Sequence, residues 1–210
     1  MSEALDRPAT EKALGLMPDW LAPIREAVGR YADRPSIREA DGTLCIGHRP
    51  WVAELNYMFR LYPGLEADSI ERYADRFGIA IPASYAEFLR SLNGAFLFGI
   101  SMFGCPGSMR GGFPMLDRSA LQCHDLSTGV RAWSAEYRVP AEMFHFGSRH
   151  FSYSQNSGYF LRTDGKIRSF LKRGKLVGEW GDFTAFLTDE LRASEELEEK
   201  LHPSQWGNPS

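Results

Sequence analysis

The chain has 210 residues, of which 43% are hydrophobic and 24% are charged, a composition typical of folded globular proteins and not of disordered ones. Its 24 basic and 27 acidic side chains nearly cancel, so the overall charge gives no sign of the basic surface that nucleic-acid binding needs. Its three cysteines are far apart and form no Cys-x-x-Cys pair, which argues against a zinc ribbon or a thioredoxin-type motif.

The N-terminal residues are polar and lack the apolar segment of a secretory signal. No stretch approaches the roughly 20 apolar residues that a membrane helix needs. We therefore expect a cytoplasmic chain with reduced thiols and no membrane partner.

The first third of the chain predicts mainly helices. Apolar residues from Trp20 to Tyr31 fall on one side of a helix, and Asp41-Gly42 favours a short hairpin. A second helix is predicted from about Trp51 to Leu61, before Pro63 prevents its continuation. We accordingly interpret residues 1–63 as a helical N-terminal extension packed on the core.

Two apolar stripes at i, i+3, i+4 and i+7 spacing follow and predict a pair of amphipathic helices. The stripes are Ile70, Tyr73, Ala74 and Phe77, then Tyr85, Phe88, Leu89 and Leu92. Gly78 stands where a C-terminal cap belongs, and Pro82 suits the first turn of the second helix. Asn93-Gly94 is predicted to end that helix.

The remainder predicts strands and one closing helix. Short apolar runs after Gly94 and from Met143 to Val177 are separated by Asp-Gly and Arg-Gly turns, which indicates consecutive antiparallel strands. Phe183 to Leu191 is predicted to be the last helix, followed in residues 193–210 by a charged helix end and a loose tail. This order predicts an α+β fold, with a largely antiparallel or mixed sheet packed against N-terminal helices and a C-terminal helix.

The segment Ile70–Gly94 resembles the signature of the SUKH superfamily, which includes the SMI/KNR cell-wall-regulator family of yeast. The matching positions are Gly78, Ile81-Pro82, Tyr85, Phe88-Leu89 and Asn93-Gly94. Phe146-Gly147-Ser148, Tyr159–Leu161 and Phe183–Leu187 resemble later family elements, so the likeness extends from about Asp68 to Leu191. We interpret residues 64–192 as a SUKH-like α+β domain. The chain departs from the family pattern at Ala95, where a second glycine is common, and at Arg149-His150, where acidic and glycine-rich residues are common.

The resemblance implies a mixed helix-and-sheet domain without catalysis. Bacterial members of the superfamily are commonly immunity proteins that bind and neutralise a toxin, often a nuclease or a deaminase, and yeast members are hubs of cell-wall signalling. We therefore expect a non-enzymatic protein that binds a protein partner, most plausibly a toxin, and that uses no cofactor, metal or nucleic acid. An intracellular scaffold or regulator without a toxin is the alternative, and the oligomeric state stays open.

Four residues are predicted to contact the partner. Met109 and Arg110 belong to the loop Gly104–Gly112, and their residue types are enriched at interfaces. Arg149 and His150 follow the family-like Phe-Gly-Ser segment. The acidic run Glu195–Glu199 is predicted to be a solvated helix face that would suit a basic toxin.

Catalytic and metal-binding alternatives are weaker. His145 and His150 are five residues apart and would point to opposite faces of a strand, and no carboxylate pair accompanies them. Cys123-His124-Asp125 has suitable residue types for nucleophilic chemistry, but adjacent residues on a strand also point apart. An enzyme using His145, His150 and Cys123 would require these side chains to converge in one pocket.

Overall fold

The computed structural model describes residues 3–106, 122–152 and 155–201, and omits the side chains of residues 150–152, 155 and 201. These residues form an α+β fold around a ten-stranded sheet, as the sequence predicts. The strands are β1 (Glu3–Leu5), β2 (Ser36–Arg38), β3 (Leu44–His48), β4 (Tyr57–Pro63), β5 (Leu92–Leu97), β6 (Ile100–Met102), β7 (Phe144–Ser152), β8 (Gln155–Leu161), β9 (Ile167–Leu171) and β10 (Lys175–Trp180). The helices are α1 (Arg7–Leu14), α2 (Ala22–Gly29), α3 (Ala67–Phe77), α4 (Ala83–Ser91), α5 (Leu126–Thr128) and α6 (Phe183–Leu201).

The sheet follows the order of the chain, and each strand pairs antiparallel with the next. Asp41-Gly42, Asp164-Gly165 and Arg173-Gly174 lie in three of the short connections, whereas the connections β1–β2, β4–β5 and β6–β7 are long and carry α1–α2, α3–α4 and α5. Because no strand inserts between two others, β1 and β10 form the two ends of the sheet among the described residues.

The helices bury one face of the sheet in an aromatic core. Tyr85 of α4 is fully buried, and its hydroxyl donates to the backbone carbonyls of Phe103 (2.5 Å) and Phe146 (3.1 Å). Its ring lies against Phe88 and against Phe183 of α6. The core therefore joins α4, α6 and the central strands, and the polar end of its central ring is hydrogen-bonded.

The opposite face is covered over β7–β9 by the segment after α5. This segment is a π-helical turn, Gly129–Trp133, followed by a 3-10 turn, Ser134–Tyr137. Tyr137 packs on Phe160 of β8. The residues on either side of Phe160, Tyr159 and Leu161, belong to the main core. Because successive side chains of a strand point to opposite faces, Phe160 faces away from that core. A short irregular helical segment therefore covers this face of the sheet.

The predicted helix pair is confirmed. α3 ends at Gly78, whose φ of 60° and ψ of 43° form a left-handed cap, and Pro82 lies at the N-cap of α4. The prediction that Asn93-Gly94 would end α4 is inaccurate, because α4 already ends at Ser91 and Asn93-Gly94 lies within β5.

Asn93 and Gly94 connect β5 to the chain beyond β6. The buried side chain of Asn93 accepts from the backbone N–H of Cys105 at 2.7 Å and donates to its carbonyl at 3.3 Å. Gly94 has a φ of +84°, and a Cβ there would lie 2.8 Å from the carbonyl oxygen of Met102. A Cβ on Gly104 would lie 2.2 Å from the carbonyl oxygen of Asn93. Asn93 and Gly94 therefore allow β5 to pack closely against the segment Met102–Cys105.

The predicted helix Trp51–Leu61 is wrong. Residues 57–63 form β4, which pairs with β3 and β5 and is buried along most of its length. Residues 1–63 therefore contain four strands of the sheet as well as helices, and their apolar side chains belong to the same core as those of α4 and α6. Tertiary pairing outweighed the helical spacing of Trp51, Leu55 and Met58. The predicted helix Trp20–Tyr31 is present as a 3-10 turn followed by α2.

Within the described ranges, no helix has both the length and the apolar character that are needed to span a membrane.

Candidate interaction surfaces

Arg149, one of the predicted partner-binding residues, lies inside the protein. It belongs to β7, its side chain is 5% exposed, and its guanidinium lies 2.8 Å from a carboxylate oxygen of Glu190 on α6. The hydroxyl of Tyr159 donates to the same carboxylate. This arrangement fastens α6 to the sheet, and its burial argues against a direct contact between Arg149 and a partner.

The other three predicted contact residues are not placed by the described structure. Met109 and Arg110 lie outside the described residues, as does most of the loop Gly104–Gly112. The backbone of His150 belongs to β7, but its side chain is not described. Their role in binding stays a prediction.

The acidic residues of α6 contribute to internal ion pairs. Glu195 accepts from Arg30 (2.6 Å to one oxygen) and from the hydroxyl of Tyr31, and Glu198 lies 2.8 Å from the buried guanidinium of Arg49. Burial acts to raise the pKa of Glu195, but the hydrogen bonds from Arg30 and Tyr31 outweigh it and hold the pKa below its ordinary value. The prediction of a wholly solvated face is wrong at these two glutamates, while Glu196 and Glu199 are exposed.

His145 is buried among aromatic rings. It is 1% exposed, its ring stacks on Phe160 at a centroid distance of 4.4 Å, and its Nδ1 lies 3.0 Å from the carbonyl oxygen of Gly129. Burial lowers the pKa of His145 to about 4, because the charged form would lose its hydration. His145 is therefore a neutral core residue at physiological pH.

The Cys123-His124-Asp125 segment does not have the features of an activated nucleophile. Burial raises the pKa of the Cys123 thiol to about 12, so the thiolate is scarce at neutral pH. The carboxylate of Asp125 accepts from the hydroxyl of Tyr73 and from the backbone and hydroxyl of Ser127, and thereby caps α5. Within residues 3–106, 122–152 and 155–201, no three side chains of His, Cys, Asp or Glu are grouped as metal ligands.

The connection between β3 and β4 presents three large apolar side chains to solvent. Trp51, Val52 and Leu55, which we call the turn surface, are 37%, 46% and 47% exposed. The guanidinium of Arg34 lies 5.7 Å from the Trp51 ring centroid, within the range of a cation–π contact. Trp51 and Leu55 belong to the helical spacing that predicts a helix here, whereas Val52 does not.

The turn is held in place by polar contacts, most of them made by the buried Arg49. Arg49 donates from its backbone N–H to the carbonyl of Asn56 at 2.8 Å and from Nε to the Asn56 side-chain oxygen, also at 2.8 Å. The same guanidinium contacts Glu198 of α6, and the His48 ring lies 2.8 Å from the carbonyl oxygen of Glu54. Arg49 thus ties both ends of the turn to each other and to α6.

No family model matches this chain, and a search of curated proteins likewise found no match.

Proposed function

We propose that this chain is a non-enzymatic protein-binding protein of the immunity type, which binds and neutralises a toxin in the cytoplasm. The observation that supports it best is the turn surface, where three large apolar side chains are exposed on a turn anchored by the buried Arg49. The resemblance to the SUKH superfamily supports the toxin as the kind of partner.

Physical chemistry favours this role for the turn surface. Tryptophan is enriched among residues that dominate binding energy, and clustered exposed apolar side chains often mark interaction sites. A turn already fixed by Arg49, Asn56 and Glu198 loses little conformational freedom on binding, which lowers the entropic cost of association.

The buried state of the reactive side chains also supports a binding role. His145 is neutral and enclosed by aromatic rings, and the raised pKa of Cys123 keeps its thiol protonated. Within the part of the chain that the structure describes, neither side chain is placed to react with a substrate, whereas Trp51 of the turn surface is exposed to solvent.

The test is coexpression with a toxin encoded beside its gene, followed by isolation of the complex and a host-survival assay. The intact protein is expected to form a complex and protect the host. Trp51→Ala is expected to weaken binding at least about 30-fold, corresponding to the loss of about 2 kcal/mol typical of a central aromatic contact. Leu16→Ala is the matched control, because Leu16 is a large exposed apolar residue elsewhere on the surface.

Two results would count against the proposal in different ways. Failure of the intact protein to bind the toxin or protect the host would remove the immunity function. Equal binding by Trp51→Ala and Leu16→Ala variants would retain the function but remove the turn surface as its site.

A further inference from the structure

β10 is an end strand with an exposed apolar centre. It pairs with β9 on one side only among the described residues, so its other edge offers backbone N–H and C=O groups. Leu176 and Val177 are 47% and 49% exposed, and the pairing with β9 has a bulge between Leu176 and Gly178.

The surroundings of this edge are strongly basic although the chain as a whole is slightly acidic. Residues 162–175 hold six of the 24 basic side chains and one of the 27 acidic ones. The basic residues are Arg162, Lys166, Arg168, Lys172, Arg173 and Lys175. We call this surface, with Leu176 and Val177, the basic edge.

Half of these cations are already paired with carboxylates. Arg162 contacts Asp164 at 3.1 Å, Arg168 contacts Glu179, and Lys172 contacts Glu136 at 2.5 Å. The exposed Lys166, Arg173 and Lys175 have no ion pair within the part of the chain that the structure describes. The basic edge therefore carries a local excess of positive charge.

We propose that the basic edge binds an acidic, extended segment of a partner protein, which adds to the sheet as a strand beside β10. Addition of a strand satisfies edge backbone groups, while alternate side chains of the added segment supply specificity. Carboxylates of the segment meet Lys175 and its basic neighbours, and apolar side chains of the segment cover Leu176 and Val177.

The same features argue against two other occupants. A second copy of this chain would bring a second basic edge, and placing two surfaces of the same charge against each other is unfavourable. Single-stranded nucleic acid is held chiefly by stacking on aromatic side chains, whereas the exposed residues at the centre of this edge are aliphatic. The proposal does not rest on the partner being a toxin, and the basic edge does not include the turn surface.

The experiment uses the full chain and a fluorescent synthetic peptide of alternating glutamate and valine. Anisotropy titrations are expected to show binding that weakens as salt rises, whereas an alternating lysine and valine peptide is expected not to bind. Amide chemical-shift changes on adding the acidic peptide are expected to concentrate on β9 and β10.

Lys175→Glu is expected to weaken peptide binding about fivefold, the size expected when an exposed attraction becomes a repulsion. Lys12→Glu is the matched control, because it makes the same change in net charge on the exposed side of α1. Circular dichroism establishes that both variants are folded.

Three outcomes would overturn the proposal: no binding of the acidic peptide at low salt, equal effects of the two variants, or shift changes away from β10. Tighter binding of a labelled single-stranded oligonucleotide than of the acidic peptide, lost in Lys175→Glu, would make the basic edge a nucleic-acid site instead. Retention of toxin binding by Lys175→Glu would leave the proposed function intact whichever of these is observed.

Discussion

Basic and acidic side chains form ion pairs in two regions of this protein with different physical consequences. Between α6 and the sheet, Arg149 and Glu190 form a pair whose side chains are almost enclosed. At the β9–β10 edge, Lys172 and Glu136 form a pair of 2.5 Å, against 2.8 Å for the first pair, and its side chains are about half exposed. The comparison indicates that depth decides whether a charged residue holds the fold together or is accessible to a partner.

Desolvation is the source of this difference. An exposed ion pair gains little because water already stabilises both charges, and such pairs contribute about 0–1 kcal/mol. A buried pair has lost that water, so removing one partner leaves an uncompensated charge at a cost of about 3–5 kcal/mol. The predictions below test this contrast from its largest expected effect to its smallest.

The largest effect is expected for Arg149→Met. The substitution leaves the Glu190 carboxylate buried without its cation, so the free energy of unfolding is expected to fall by about 3–5 kcal/mol in urea denaturation. Arg149→Met combined with Glu190→Gln is expected to recover part of this loss, because glutamine brings no charge. A single-variant loss below about 1 kcal/mol would show that depth does not separate the two regions.

A second prediction concerns His145, a basic group buried among aromatic rings. Its pKa is lowered from 6.5 to about 4, so the unfolded chain binds its proton more readily. The free energy of unfolding is therefore expected to be insensitive to this group above pH 6.5 and to fall by about 3 kcal/mol as the pH drops from 6.5 to 4.

The pH dependence of stability checks this expectation in urea denaturation series. His145→Gln is expected to remove that part of the slope between pH 6.5 and 4, whereas His48→Gln, at a partly exposed histidine, serves as the control. An unchanged slope in His145→Gln would mean that His145 does not carry the pH dependence.

A third prediction tests a buried polar contact that carries no charge. Asn93→Ala removes both hydrogen bonds to the backbone of Cys105. The unfolding free energy is expected to fall by about 1–3 kcal/mol, because a buried N–H and C=O lose their partners. Ser91→Ala is the control, since Ser91 precedes the same strand but its hydroxyl donates to the Glu87 carbonyl within α4. Equal losses in the two variants would contradict the role given to Asn93.

The sequence allowed the fold class to be predicted because its strongest patterns are local. The stripes of α3 and α4, the cap at Gly78 and the turn signals after Met143 each act through neighbours in the chain, and the structure confirms them. β4 was predicted wrongly because Trp51 and Leu55 have helical spacing, while the strand is stabilised by pairing with β5, more than 30 residues away.

The candidate surfaces were harder to predict because exposure is a property of the tertiary structure. Arginine is enriched at interfaces, and only the tertiary position of Arg149 beneath α6 shows that it is buried. The basic run Arg162–Lys175 is visible in the sequence, but its Asp-Gly and Arg-Gly pairs predict hairpin turns and the near-neutral total charge hides its local charge. A local charge profile would have revealed it.

The smallest effect is expected for Lys172→Met, which breaks the exposed pair with Glu136. The unfolding free energy is expected to fall by less than about 1 kcal/mol. The loss is expected to be smaller still at about 0.5 M salt, because salt already weakens the Lys172–Glu136 attraction in the unsubstituted protein. Urea denaturation at low and high salt, beside Arg149→Met under the same conditions, checks both expectations. A loss as large as that of Arg149→Met would mean that the β9–β10 edge is held by its ion pairs, and its cations would then be structural and not available to an acidic partner.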